Sequence, residues 1–173
     1  MSQVEQAVQA LQAALKNKVL SVEEFRGQTT ISLDRAVILD ACKLLHDDKA
    51  LQFDFLAALT AVDYWPQEPR FAVVYQLYSI PNRVFLELRV PLQIESAEID
   101  TVESIYANAN WHEREVFDLF GIIFKGHSDL RRILMPKDWE GHPLRKDYPL
   151  GYEEVQFSFN FDEIDDRKPY AKE

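Results

Sequence analysis

Between His127 and Gly151 the chain cannot hold a regular element. Pro136, Pro143 and Pro149, with Gly126 and Gly141, interrupt every helical or strand period across it. The result is an arm far longer than the usual ~4 to 6 residue connection between elements. Its apolar residues, Leu130, Ile133, Leu134, Met135, Trp139, Leu144 and Tyr148, are too many for a segment that stays in water. An arm of this kind, with no core of its own, is expected to lie against another surface. The chain therefore divides into an α+β globular domain over 1–124 and, over 125–173, an extended C-terminal partner-binding arm with an acidic tail.

The stretch feeding the arm reads as a short helix, Trp111 to Phe120. Asn110 is placed as its N-cap and Gly121 takes the left-handed position that ends it; Glu113 falls within the apolar stripe, where burial would raise its pKa, but as the third helical residue it is read as bonding back to the cap. Val116, Phe117, Leu119 and Phe120 form an apolar stripe. Arg114, Glu115 and Asp118 lie opposite, with Arg114 and Asp118 paired four residues apart. Trp111 projects among the charges, where a large aromatic suits an interface better than the chain's own core. Ile122 to Phe124 reads as one buried strand.

Upstream, Ser2 with Glu5 makes a capping box for a helix to about Lys16, with Val4, Val8, Leu11 and Leu15 on one face. Val19–Phe25 and Thr29–Leu33 read as a hairpin, and Asp34 caps a second helix carrying Val37, Ile38, Ala41, Leu44 and Leu45. Gln52–Val62 is a buried strand or helix-to-strand segment. Phe71–Ser79 and Arg83–Val90 form a hairpin across Pro81-Asn82, ended by Pro91, and a further helix is expected near Thr101–Ala107. Helices grouped on a mostly antiparallel sheet make an α+β fold.

Charge is unevenly spread. The 173 residues carry a net charge of -10, yet residues 125–148 hold six basic and four acidic side chains. An acidic chain with one basic arm repels phosphate backbones, which argues against nucleic acid as the main partner. No run of 18 uncharged residues could span a bilayer, and the N-terminus lacks a secretory pattern, so a cytoplasmic placement is expected. Cys42 stands alone and reads as a small buried hydrophobe.

The sequence offers little for cofactor chemistry. The four histidines, at 46, 112, 127 and 142, and the one cysteine never approach metal-ligand spacing, so no metal or iron–sulfur cluster is expected. Glycine-rich nucleotide loops and a nucleophile elbow are missing as well. Glu113 and Glu115 point about 200° apart on the helix and cannot flank one bond as glycosidase carboxylates do. A hydrolase using Glu113 or Asp118 is the remote alternative. Arg131 with Arg132, and Arg145 with Lys146 and Asp147, flanked by Met135, Pro136, Trp139, Gly141, Pro143 and Tyr148, read instead as contacts to a carboxylate-bearing protein surface.

These residues also carry a resemblance. Glu113-Arg114-Glu115, Phe117-Asp118-Leu119-Phe120-Gly121-Ile122, Gly126-His127, Asp129-Leu130-Arg131-Arg132-Ile133-Leu134 and Trp139-Glu140-Gly141-His142-Pro143-Leu144-Arg145-Lys146-Asp147-Tyr148-Pro149 resemble the C-type subunit family of NADH:quinone oxidoreductase, respiratory complex I. The block covers about a quarter of the chain. One departure is Ser128, at a position usually occupied by proline, and it is expected to loosen the turn there.

The resemblance implies a non-redox structural subunit of the peripheral arm of that proton-translocating complex, on the cytoplasmic side of the cell membrane. It would pack against the large quinone-site subunit (D-type) and the terminal iron–sulfur subunit (B-type). NADH, FMN, the iron–sulfur clusters and quinone would be held by other subunits, with no catalytic site in this chain. Residues 127–165 would wrap the large subunit, with Phe157, Phe159 and Phe161 in an extended strand. The nearer alternative is the equivalent subunit of a related membrane-bound hydrogenase or of a quinone oxidoreductase with another electron donor.

Overall fold

The computed structural model describes residues 2–149 together with 159, 162 and 163. Helix α1, Gln3–Leu15, starts at the Ser2–Glu5 capping box, both of whose bonds form. Strands β1, Val19–Phe25, and β2, Gln28–Leu33, make the first hairpin. Asp34 accepts the Ala36 N–H and caps a 3-10 turn, Arg35–Val37, that runs directly into α2, Ile38–Asp47. Strands β3, Phe55–Asp63, β4, Phe71–Ser79, and β5, Val84–Leu92, follow. They complete a five-stranded sheet in the order β1-β2-β5-β4-β3.

Every neighbour pair in this sheet is antiparallel except β2–β5, where Ile31 faces Leu88 in parallel register. One face of β5 buries Leu86, Leu88 and Val90 in a core shared with Leu11 of α1 and Leu45 of α2. Its other face carries Phe85, Glu87 and Arg89. Thr30, Gln76 and Arg89 all donate to the Glu87 carboxylate there, a polar cross-strand network that fixes the register of three strands.

Two short strands stand apart from the main sheet. These are β6, Glu98–Asp100, and β7, Ile123–Lys125, paired in parallel on either side of α3, Ala109–Phe120. Val116 and Phe120 of α3 enter the same core. The 124/125 boundary drawn from the sequence falls within β7.

Three local expectations are corrected. No helix forms over 101–107; the segment makes isolated turns, because Tyr106 is buried with its hydroxyl on the Phe53 carbonyl and Thr101 and Val102 are drawn to Glu113. Helix α3 begins earlier than expected, with Asn108 at the cap and no side-chain cap bond. The Asn110 amide instead donates to Glu103 and to the Ser128 hydroxyl. Pro91 does not end β5: it lies inside the strand, opposite Ala72, where its missing N–H is tolerated near the strand's end.

Candidate partner-binding arm

Helix α3 stops at Gly121, whose φ of +74° is the left-handed value glycine adopts without strain. A second constraint acts at the same residue. A Cβ there would lie 2.5 Å from both His142 Nε2 and Arg145 Nη2. Gly121→Ala is therefore expected to destabilise the fold by about 2 kcal/mol or more, from the left-handed backbone and the displaced side chains together. Urea denaturation of the purified chain checks it.

That close approach arises because the arm is the C-terminal cap of α3. The last carbonyls of any helix lack intrahelical donors. Here Asp118 O accepts from His142 Nδ1 at 2.8 Å, Leu119 O from the Leu144 N–H at 3.1 Å, and Phe120 O from Arg145 Nε at 2.6 Å. Cationic and polar groups at a helix C-terminus also complement the macrodipole. Residues more than twenty positions downstream thus perform a task that local residues usually do.

Three buried or half-buried carboxylate clusters fasten the arm along its length. At its root the His127 imidazole is fully enclosed. Its Nδ1 accepts the Asp129 N–H and its Nε2 faces the Asn110 carbonyl at 3.1 Å, so the ring proton sits on Nε2. Ser128 donates both its N–H and its hydroxyl to Glu103. A proline could not supply that N–H, so the departure at 128 adds a tie where a looser turn was expected. Burial raises the Glu103 carboxyl pKa, but the bonds from Asn110 and Ser128 outweigh it and leave the group below its ordinary value.

Behind the root lies Glu113, buried on α3. Its carboxylate receives the Thr101 hydroxyl and the Val102 N–H rather than bonding back to a helix cap, which corrects the capping expectation. Burial pushes its pKa up to about 7, against the opposing pull of those two donors, and the nearby Glu103 charge adds to the rise.

At mid-arm sits Asp118, wholly buried rather than opposite the apolar stripe as the helical wheel suggested. Oδ2 accepts the consecutive N–H groups of Ile133, Leu134 and Met135 at 2.8–2.9 Å, and Oδ1 accepts Arg132 Nη1 at 2.7 Å. Burial raises the carboxyl pKa, and the four donors overcome it to leave a net lowering. The expected Arg114–Asp118 pair does not form, because the carboxylate is taken by the arm. Arg132 also reaches the Gly141 carbonyl.

The far end is held by Asp63, Arg70 and Asp147. Arg70, buried just before β4, donates two bonds to Asp63 at 3.0 and 2.9 Å and two to Asp147 at 3.0 and 2.6 Å. Asp63 takes the Lys146 N–H as well. Burial raises the Asp63 pKa, but bonds from Arg70, Lys146 and Trp65 bring it down to about 2. The Arg145 guanidinium lies 5.5 Å over the Phe71 ring.

The sequence-selected residues thus separate into three groups. Glu113, Asp118, Phe120, Gly121, His127, Arg132, Arg145 and Asp147 make the ties within the chain. Tyr148, Trp139 and Pro143 are half-buried in the arm, and a Cβ on Gly141 would meet the Tyr148 ring at 2.8 Å. Trp111, Glu115, Arg131, Pro136 and Lys146 are exposed, Arg114 half-exposed above Trp111. The expectation of an arm without a seat on its own domain is corrected for 126–149. The Phe157 and Phe161 strand lies outside the described residues, and Phe159 sits exposed in a turn.

Sequence reasoning missed Arg70, Glu103 and Asp63 as arm-holding residues. Asp63 and Arg70 flank a proline-containing loop between two apolar strands, and opposite charges at both strand ends were the available signal. Of the three carboxylates on α3, Glu113 and Asp118 are buried and Glu115 is exposed. Among the described residues no group of three or more His, Cys, Asp or Glu side chains is gathered to hold a metal ion, and no helix is long and apolar enough to cross a membrane.

Comparison with known proteins matches this arrangement to one family. Residues 31–154 fit the family described as the 30 Kd subunit of respiratory-chain NADH dehydrogenase. The chain is 49% identical over 166 residues to the NADH-quinone oxidoreductase C subunit of Roseiflexus sp. (strain RS-1), covering 96% of this chain and 95% of that one. The C subunit of Geotalea uraniireducens is 47% identical over 87% of this chain and 90% of its own. Among solved structures, a trypsin-resistant Nqo5 fragment superposes with a TM-score of 0.63 at 34% identity, over 74% of this chain and 99% of the fragment. A chain of an archaeal respiratory membrane complex, the membrane-bound sulfane sulfur reductase, gives 0.69 at 25% identity, over 84% and 85%. With the arm, its ties and most of the sheet inside the matched span, the chain belongs to the family of the respiratory-chain NADH dehydrogenase 30 Kd subunit.

Proposed function

We propose that this chain is a non-redox structural subunit of the peripheral arm of a proton-translocating NADH:quinone oxidoreductase. It holds the large quinone-site subunit against the terminal iron–sulfur subunit, on the cytoplasmic side of the membrane. NADH, FMN, the clusters and quinone are carried by its neighbours. Electron transfer depends on the distance from the last cluster to quinone, so a rigid brace acts on chemistry by positioning.

The observation that carries this reading is the division of labour in the arm. Many of its charged motif residues, among them Arg132, Arg145 and Asp147, are spent on internal ties, while Leu134 and Leu144 of the arm and Trp111 of α3 are more than half exposed, and Arg131, Lys137 and Lys146 are exposed as well. Exposed apolar and basic side chains on a segment stiffened from within suit docking to another chain. Both nitrogens of His127 are bonded within the chain, and burial pushes the Cys42 thiol pKa up.

The chain, tagged in its native host, is expected to co-purify with an NADH-oxidising, iron–sulfur assembly. Arg145→Ala removes a cap from α3 and is expected to reduce the amount of assembled complex several-fold while leaving turnover per assembled complex near the native value. Full assembly with lost quinone reduction would place the arm in the active site instead. The likeness to a chain of the sulfane sulfur reductase favours a second reading, the same brace in a complex with another electron donor; an associated assembly that does not oxidise NADH would select it.

A further inference from the structure

On the outer side of α3, beyond the ties, one guanidinium is held in place with its bonding end unused. Arg114 Nε donates to the Arg131 carbonyl at 3.1 Å, and its guanidinium carbon stands 5.2 Å from the centroid of the Trp111 ring. These two contacts fix the plane of the group. Its terminal nitrogens, Nη1 and Nη2, have no hydrogen-bond or ion-pair partner among the described residues.

Among the described residues no carboxylate lies within ion-pair distance of this cation, and Asp129 feels its charge only from farther off. Arg131, alongside, is paired with Asp129 at 2.6 Å. Glu115, next on the helix, points about 100° away. Trp111 is 60% exposed, so one face of the indole meets Arg114 and the rest meets solvent. A guanidinium stacked on an aromatic ring keeps its N–H edge free and matches a carboxylate with two parallel bonds. Stacking and the Arg131 bond have already removed much of the rotamer freedom that such a pairing would otherwise cost.

Resting on the functional reading above, we infer that Arg114 and Trp111 form a latch for a carboxylate side chain of a neighbouring subunit. The partner's Asp or Glu bonds to Nη1 and Nη2, and apolar surface around it covers the open part of the indole. Arg114 and Arg131 set two cations side by side against the single Asp129 carboxylate, a local excess that favours an acidic partner. Central Trp and Arg anchors of this kind dominate many interfaces.

The test uses the full chain, tagged in its native host, with the complex isolated at low salt. Arg114→Lys places a primary amine where the guanidinium was, and a zero-length carbodiimide joins an amine to a carboxylate only when the two touch. Mass spectrometry is expected to find residue 114 of this variant coupled to an Asp or Glu of a different polypeptide. Arg114→Glu is expected to lower recovery of the complex by about tenfold or more, with the urea midpoint of the purified chain little changed. Coupling confined to Asp129 or Glu115 of the same chain, no coupling at 114, or full recovery of Arg114→Glu in complex each overturns the latch. A native chain that purifies alone overturns the functional reading itself, so the two failures are distinguishable.

Discussion

Asp118→Asn is expected to destabilise the chain by about 3 kcal/mol and to release the middle of the arm. The native carboxylate is buried and receives three consecutive backbone N–H groups and one guanidinium. An asparagine keeps the shape but turns one acceptor into a donor, facing either Arg132 or the Ile133–Met135 N–H groups. Arg132, mostly shielded, loses its counter-charge. Were Asp118 a surface residue paired with Arg114, as the helical wheel suggested, the loss would be about 0.5 kcal/mol or less. The two accounts differ by enough for one urea titration to choose between them.

Arg70→Met is expected to cost about 3 to 5 kcal/mol, because it strands Asp63 in the interior without its cation and lets Asp147 go. The pH dependence adds a signature. In the native chain Asp63 is held at about 2, below its ordinary value of 3.8, so its contribution is present above pH 3.8 and is lost as pH falls through about 2. Asp147, lowered mainly by its bond from Arg70, acts in the same direction. The variant lacks the part of this contribution that Arg70 supplies, so the stability gap between the two should narrow as the pH approaches 2. Glu113 acts in the opposite sense. Raised to about 7, its contribution is full below pH 4.5 and is lost as pH rises through 7, a window separate from that of Asp63.

Much of the scaffold was legible because its signals are local. The Ser2–Glu5 box, the β1–β2 hairpin and the alternation of Val84, Leu86, Leu88 and Val90 each depend on neighbours in sequence. Gly121 was legible for the same reason. The arm's seat was not, since its determinants are pairings between residues far apart: Asp118 with Ile133–Met135, Asp63 with Lys146, Glu103 with Ser128. A helical wheel placed Asp118 and Arg114 among charges because it counts angle and polarity, and takes no account of a backbone loop that brings its own donors. The wheel does put Glu113 in the apolar stripe, but the cap is the local donor it offers, whereas Thr101 and Val102 supply the bonds from a neighbouring loop. The long motif identified the family without revealing that many of its charged residues face inward.

That inward use has a consequence for assembly. A segment that must order on binding gives up part of its interaction energy to conformational entropy, whereas one already fastened meets its partner with less to lose. The ties at Glu103, Asp118 and Asp63 therefore make the exposed Trp111, Leu134 and Leu144 a preformed surface. On the proposed docking role, loss of any of these ties should weaken association.

The most direct test is amide hydrogen exchange in the free chain, resolved at residues 133, 134, 135, 144 and 146. Their N–H groups are bonded to Asp118, Leu119 and Asp63. Each should exchange far more slowly than an unstructured amide before any partner is added, and Asp118→Asn should abolish the protection at 133–135. Exchange at the unstructured rate in the free chain, with protection appearing only in the complex, would show that the partner and not the chain itself orders the arm.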